Sequence, residues 1–175
     1  MDEAIRPGCG AQLSPNVSPR VEHSLNASPA CYALDMEVTA FELRHGWLVG
    51  RCHQMTVDAY GAQHAGQTTR PIRVAYSLVG LHLALDRGLT GIQVRDAHSR
   101  MGKPDATWPS FARPSGFADR SIVDVARAGV QANSPEWHAA AVLEWAKAVW
   151  AWWEPAHRDV QRLTEKLLGE WLRLR

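Results

Sequence analysis

The sequence predicts an all-α protein, a single-domain helical bundle of six or seven helices with an irregular N-terminal arm. Its 175 residues are 46% hydrophobic, which suits one compact domain with a sizeable core. Apolar residues recur at helical spacing through most of the chain, and no segment alternates convincingly as a strand with a partner. A serine followed by proline directly precedes a helical pattern at 28–29 and at 134–135, and this pair is typical of a helix start.

The predicted arm covers residues 1–27 and the bundle domain covers residues 28–175. The arm is rich in proline, serine, glycine and asparagine and shows no periodicity. The first helix should begin at Pro29 with Ser28 as its cap and end near His45, before Gly46. Its inward face is expected to be the recurring set Leu34, Val38, Phe41 and Glu42.

Further helices follow from the same periodicity. We expect them over about 49–64, 71–87, 91–101 and 136–172, with Pro155 interrupting the last one. The helix at 71–87 is apolar nearly all round, which indicates a central, buried element. A short helix is expected over 121–128, and the proline-rich stretch 103–118 is expected to be an ordered loop.

Charge and composition exclude several classes of function. A net charge of +1 gives no basic surface for nucleic acid, and no apolar run approaches the roughly 18–20 residues that span a bilayer. The three cysteines are too few for a disulfide framework, and nothing before Cys9 resembles a secretory signal. We therefore expect a cytoplasmic protein with no nucleic-acid or membrane partner, and the predominance of arginine over lysine favours a bacterial source.

The second helix carries a polar seam. At about 100° per residue, His53, Val57, Tyr60 and His64 share one face, which we expect to point into the protein. An unbroken helix separates His53 from His64 by about 16 Å, so the two cannot bind one metal ion. The seam, together with Asp58, is either a ligand-binding surface or a buried polar network whose hydrogen bonds are all satisfied.

Two later helices offer similar groups. His82 and Asp86 are four residues apart, the spacing at which a carboxylate fixes an imidazole tautomer, although such pairs are also common on helix surfaces. Trp150, Trp153 and His157 share a face of the last long helix. They are candidates for binding a small molecule, and ordinary core packing explains the tryptophans equally.

The cysteines are the best sign of zinc. Cys9 lies in a Pro-Gly-Cys-Gly turn much like a zinc knuckle, but Arg6 stands where a knuckle has its other cysteine. Cys31 lies at a helix N-terminus, where the dipole favours a thiolate. If the arm folds back, Cys9, Cys31 and His53 are predicted to converge on one metal ion. The alternative is that the cysteines are buried and idle.

Several motifs resemble an uncharacterised bacterial family known as domain of unknown function 5946. They are the Pro-Gly-Cys-Gly-Ala head at 7–11, Ser-Pro-Ala-Cys-Tyr-Ala-Leu at 28–34, the stretch 53–64 with its Thr-Val-Asp-Ala-Tyr and Gln-His elements, Gly-Leu-His-Leu-Ala-Leu at 80–85, and Val-Trp-Ala-Trp-Trp at 149–153. The resemblance spans nearly the whole chain and implies a single domain. The family head usually reads Cys-Pro-Gly-Cys-Gly-Ala, so this chain departs from it at Arg6. The family brings no established activity.

The leading hypothesis is that the bundle binds a divalent metal, zinc above all, or a small molecule at the seam. His53, Asp58 and Tyr60 are the candidate catalytic groups. His64, His82, Trp150, Trp153 and His157 are the candidate ligand-binding groups. If the protein is an enzyme, a metal-bound water would be the nucleophile of a hydrolase or transferase, with a histidine or Asp58 as base.

Two other hypotheses stay open. The protein is alternatively a non-catalytic interaction module or homodimer, because the last helix carries an apolar stripe, formed by Val160, Leu163, Leu167, Trp171 and Leu174. A thiol-based sensor has less support, since no Cys-x-x-Cys pair is present.

Overall fold

The computed structural model describes residues 8–11, 24–102 and 107–175. Over these residues the protein is all α, as predicted, and they contain no strand. The α-helices are α1 Pro29–Arg44, α2 Gly46–Leu48, α3 Gln54–Gln63, α4 Pro71–Leu85, α5 Gly91–Met101, α6 Ile122–Val125, α7 Pro135–Trp152 and α8 His157–Arg173. No helix in the described ranges is long and apolar enough to cross a membrane.

The helix starts follow the predicted capping chemistry. Ser28 accepts a hydrogen bond from the Cys31 backbone N–H at 3.1 Å, and Ser134 accepts one from the Trp137 N–H at 3.4 Å. Each serine precedes a proline at the first helical position, which lacks the N–H that would otherwise be unpaired there. Pro155 divides α7 from α8 through a 3₁₀ turn at Glu154–Ala156, as its missing N–H predicts.

The predicted helix over 49–64 is not uniform. A short helix, α2, precedes it, and Val49–His53 forms a π-helical segment before α3 begins. A second π-helical segment, Ala126–Gln131, continues α6 and extends the short helix predicted over 121–128. Inserting a residue into a helical turn is unfavourable and is frequent at functional sites. Residues 107–118 form a loop without regular structure, and the rest of that predicted loop lies outside the described residues.

The central helix is α4, which packs against α3, α5, α7 and α8. Its closest neighbour is α3, because a glycine from each helix lets the other approach. A Cβ at Gly61 would lie 2.4 Å from the Ser77 Oγ, and one at Gly80 would lie 2.0 Å from an Asp58 carboxyl oxygen. The two glycines thus set the separation of the helices that carry the candidate seam.

Replacing Gly80 with alanine should destabilise the protein despite alanine's better helix propensity. The added methyl group has no space beside Asp58, and overpacking of this kind costs about 1–3 kcal/mol. The midpoint of urea unfolding measures the change. Gly46→Ala is the control, since nothing lies within 4 Å of a Cβ there. Equal stability of the two variants would contradict the close approach of α3 and α4.

The described part of the predicted arm is held to the bundle by its backbone. The Gly8 N–H donates to the Asn26 carbonyl at 2.5 Å, and the Asn26 N–H donates to the His64 carbonyl at 2.7 Å. The Arg113 guanidinium from the long loop donates to the Gly8 carbonyl at 2.6 Å. Residues 8–11 are therefore fixed beside the C-terminal end of α3. The arm's remaining residues, 1–7 and 12–23, lie outside the described ranges.

The stripe of the last helix faces largely inward. Val160 is fully buried and Leu163 is 8% exposed, whereas Leu174 at the chain end is 82% exposed. The helix packs against α4 and α5. Core packing therefore accounts for most of the apolar stripe on which the interaction-module hypothesis depends.

Candidate metal centre

Two cysteines and one histidine meet in the interior. The Cys9 and Cys31 Sγ atoms are 3.8 Å apart, and the Cys31 Sγ is 3.1 Å from the His64 Nε2. These three atoms all lie within 4.8 Å of one another, and the side chains are buried. Donors bound to one zinc ion through bonds of about 2.0–2.3 Å lie roughly 3–4 Å apart, so the arrangement has the size of a zinc coordination sphere.

The structure fixes the tautomer of His64. Its Nδ1 lies 2.9 Å from the Tyr60 backbone carbonyl, which can only accept, so Nδ1–H is the donor. In the neutral ring, Nε2 then carries the lone pair and points it at the cysteines. Metal-binding histidines are commonly oriented by such a hydrogen bond to the other ring nitrogen. His64 is thus held ready to donate to a metal ion before any ion is bound.

The pKa values of the two thiols are shifted in opposite directions. A hydrogen bond from Cys31 lowers the pKa of the Cys9 thiol to about 4, outweighing the opposite effect of burial. The same bond, together with burial, raises the pKa of Cys31 above its usual value. The pair therefore holds one proton between two sulfurs. A bound metal would release that proton, since thiolates are the ligands of zinc.

Tyr60 borders this group. Burial, and then the charge of the nearby Cys31, raise the pKa of its phenol, so the hydroxyl keeps its proton. The side chain is 3% exposed, and its hydroxyl lies near the Cys31 sulfur but makes no hydrogen bond of good geometry within the described residues. A buried donor without a partner costs free energy, which a polar ligand in this place would recover.

His53 does not join Cys9 and Cys31. It lies about three helical turns from His64 along a continuous run of helix, about 16 Å away by the rise per residue. Its Nδ1 is instead 2.6 Å from a carboxyl oxygen of Glu42. The third donor of the cysteine group is therefore His64 and not the expected His53. The seam is also interrupted, because Val57 is 47% exposed.

A second polar group surrounds Glu42. Its Oε1 accepts from the Thr56 hydroxyl at 2.6 Å and from the His138 Nε2 at 2.9 Å, and the Cys52 Sγ lies 3.9 Å from the same oxygen. Glu42 and His138 are fully buried. We call these residues, with His53, the Glu42 cluster. The Glu42, Cys52 and His138 donors also lie within 4.8 Å of one another.

Asp58 lies apart from both groups. Its carboxyl group accepts a hydrogen bond from the Gln54 side-chain amide at 3.2 Å and packs against Gly80. Burial raises the pKa of Asp58 well above its usual value, and the single bond from Gln54 only partly opposes this. Burial therefore disfavours the ionised form of the Asp58 carboxyl group and makes it a weaker acid.

The predicted pair of His82 and Asp86 forms a third group at the C-terminal end of α4. His82 Nδ1 is 2.8 Å from Asp86, and Asp86 also accepts from the Trp150 indole at 3.1 Å. His157 stacks on Trp150 with the ring centres 3.7 Å apart, and it donates to the Trp150 carbonyl. Trp153 lies elsewhere, fully buried, donating to the Ala62 carbonyl. These groups are held together by mutual hydrogen bonds and stacking.

Glu42 and His138 were not predicted as site residues, although the sequence carries a signal for both. Glu42 recurs with Val38 and Phe41 on the inward face of α1, and His138 recurs with Val142 and Trp145 on that of α7. A charged or titratable side chain in an otherwise apolar stripe predicts a buried partner, because an unpaired one is costly. One polar residue of this kind on α1 and one on α7 therefore indicate that the two helices pack together at these residues.

Fold and site together define an all-α protein whose interior holds two groups of metal-ligand type, one built on paired cysteines and one on a glutamate. The chain belongs to the family of unknown function DUF5946, whose model matches residues 5–154. The match covers both groups. Neither the curated proteins nor the solved structures include a protein that matches this chain.

Proposed function

We propose that this protein binds a divalent metal ion, zinc, through Cys9, Cys31 and His64. The observation that carries the proposal is the convergence of three buried donor atoms within 4.8 Å, with the imidazole already oriented by the Tyr60 carbonyl. Soft thiolates and imidazole are the donors that zinc prefers. Two thiolates would also neutralise the ion's charge, which suits a buried site.

Three protein donors leave one position of a tetrahedron to another ligand. Structural zinc sites are usually closed by four protein ligands, whereas catalytic sites have three protein ligands and a water or substrate. We therefore propose an open site, in which the buried Tyr60 hydroxyl would hydrogen-bond a fourth ligand. A site of this type suits metal-assisted hydrolysis or group transfer, in which a bound water becomes nucleophilic near neutral pH.

Metal analysis of purified protein tests the zinc proposal. After dialysis against a weak chelator, the wild-type chain should retain a tightly bound zinc ion that Cys31→Ser loses. Cys52→Ser is the matched control, because Cys52 lies outside this group and its variant should keep that ion. Retention of the ion by Cys31→Ser, with a native circular dichroism spectrum, would refute the assignment.

Cobalt substitution tests the open position. Co²⁺ bound by Cys9, Cys31 and His64 should give a thiolate charge-transfer band and a visible spectrum typical of four-coordination. Added azide should change the visible spectrum if it replaces a water ligand. A spectrum that azide leaves unchanged would indicate a closed site and remove the basis for catalysis there.

The interaction-module alternative receives no comparable support. Its stripe on α8 lies mainly against α4 and α5, and only the chain end is strongly exposed. Metal binding is therefore the function that the described residues favour.

A further inference from the structure

The Glu42 cluster is built around an anion buried without solvent. Glu42 comes from α1, Cys52 and His53 from the first π-helical segment, Thr56 from α3, and His138 from α7. Both carboxyl oxygens are engaged, Oε1 by His138 and Thr56 and Oε2 by His53. Burial alone would raise the pKa of Glu42, but the bonds from His138, His53 and Thr56 outweigh it and hold the pKa below its usual value.

An ionised carboxylate in the interior requires a positive charge beside it. No lysine or arginine forms an ion pair with Glu42 within the described residues, and its two imidazole partners, His53 and His138, can each carry a positive charge. The donors around Glu42 are also those of a metal site. A carboxylate, a thiol and an imidazole within 4.8 Å of one another are the ligands of zinc and related transition metals.

The separations fit a coordination sphere. The His138 nitrogen and the Cys52 sulfur lie 2.9 and 3.9 Å from the same Glu42 oxygen. Ligand atoms around a first-row divalent ion lie roughly 3–4 Å apart, as bond lengths of about 2.0–2.3 Å require. His53, bonded to the other carboxyl oxygen, would then orient Glu42 from outside the ligand shell.

Both π-helical segments adjoin this cluster. The first one carries Cys52 and His53. The second contains Gly129, where a Cβ would lie 2.2 Å from the His138 Nδ1, so that glycine makes room for the imidazole. Two segments of an energetically unfavourable helix type lie beside one set of donors. Their position is an observation separate from the chemistry of the donors, and it also points to a functional site at the Glu42 cluster.

We propose that Glu42, Cys52 and His138 form a second divalent-metal site, distinct from Cys9, Cys31 and His64. It takes a first-row transition ion such as Zn²⁺, which would displace the proton that His138 Nε2 donates to Glu42 and the proton of the Cys52 thiol. Its affinity should be lower than that of the cysteine pair. The His138 Nδ1 has no hydrogen-bond partner within the described ranges, whereas the His64 Nδ1 has one, and losing such a partner typically costs about 10–100-fold in metal affinity.

Reciprocal cysteine variants test the second site. Zinc titration of the metal-free wild type should fill two sites per chain, the second one at about 10–100-fold higher free zinc. Cys52→Ser should lose only the weaker site, and Cys31→Ser should lose only the tighter one. Cobalt gives a second readout, because each remaining site has a cysteine ligand and should keep a thiolate charge-transfer band. Cys52→Ala and His138→Gln are used if Cys52→Ser does not fold, as judged by circular dichroism.

Each outcome is distinguishable from failure of the first site. A single zinc site that Cys31→Ser abolishes and Cys52→Ser leaves intact would overturn the second site and keep the first. A single site with the opposite dependence would keep the second and overturn the first. Two sites in the wild type, neither altered by Cys52→Ser nor by His138→Gln, would place the second ion elsewhere and overturn the proposal.

Discussion

Adding zinc to the metal-free protein should raise its melting temperature by roughly 5–10 °C, and a strong chelator should reverse the rise. A ligand present at 100 times its dissociation constant adds about 2.7 kcal/mol to the free energy of unfolding. In a chain of this length each kcal/mol shifts the melting temperature by about 2–4 °C. The site joins residues 8–11 to α1 and α3, so the unfolded chain has no preformed site to compete for the ion.

The increase should fade at acid pH. Zinc binds thiolate and neutral imidazole, so protons compete with it. The Cys31 thiol in particular must lose its proton, and its hydrogen bond with Cys9 raises the pKa of that thiol. Thermal scans of wild type and Cys31→Ser, with and without zinc, between neutral and mildly acid pH measure both effects. A zinc-induced shift of equal size in Cys31→Ser would contradict the assignment of the tighter site.

Glu42→Ala should destabilise the metal-free protein by about 3–5 kcal/mol, the cost of removing one partner from a buried charged group. His138, His53 and Thr56 all direct hydrogen bonds at the lost carboxylate, and the fully buried His138 cannot replace its bond with one to water. Urea unfolding measures the change. Glu37→Ala is the matched control in the same helix, since Glu37 is exposed and should change stability by no more than about 0.5 kcal/mol.

The contribution of Glu42 to the free energy of unfolding should decrease as the pH falls. Because its folded-state pKa is depressed, its stabilising contribution is present above the unfolded value of about 4.3 and is lost as the pH falls through the folded value. The difference between wild type and Glu42→Gln should therefore narrow as the solution is acidified. A difference that stays constant across that range would mean that folding does not depress the pKa of Glu42, and one that widens would mean that the folded protein favours the neutral carboxyl group.

Local chemistry explains why the helices could be predicted. Ser28 and Ser134 each precede a proline, and the resulting caps are formed by neighbours in sequence, so they need no knowledge of the fold. The predicted helix at 91–101 matches α5 for the same reason, since Thr90 and Gln93 form a reciprocal cap. The π-helical segments Val49–His53 and Ala126–Gln131 were not predicted, because the apolar periodicity of such short stretches does not distinguish them from α-helix.

The candidate site was predictable only in part. Cys9 and Cys31 were identified from their residue type and position, and the separation of His53 from His64 followed from the helical rise. Which histidine meets the cysteines depends on where the arm docks. That docking uses backbone hydrogen bonds between Gly8, Asn26 and His64, and backbone groups leave no signature in the sequence.

The wide spacing of the ligands along the chain also bears on the order of events during folding. Cys9 and Cys31 are 22 positions apart, and Cys31 and His64 are 33 apart, so each pairing closes a long loop. Such contacts form late, after the local helices have formed and most of the conformational entropy has been lost. Newly made chains would therefore acquire their ion near the end of folding, after the helical bundle has assembled.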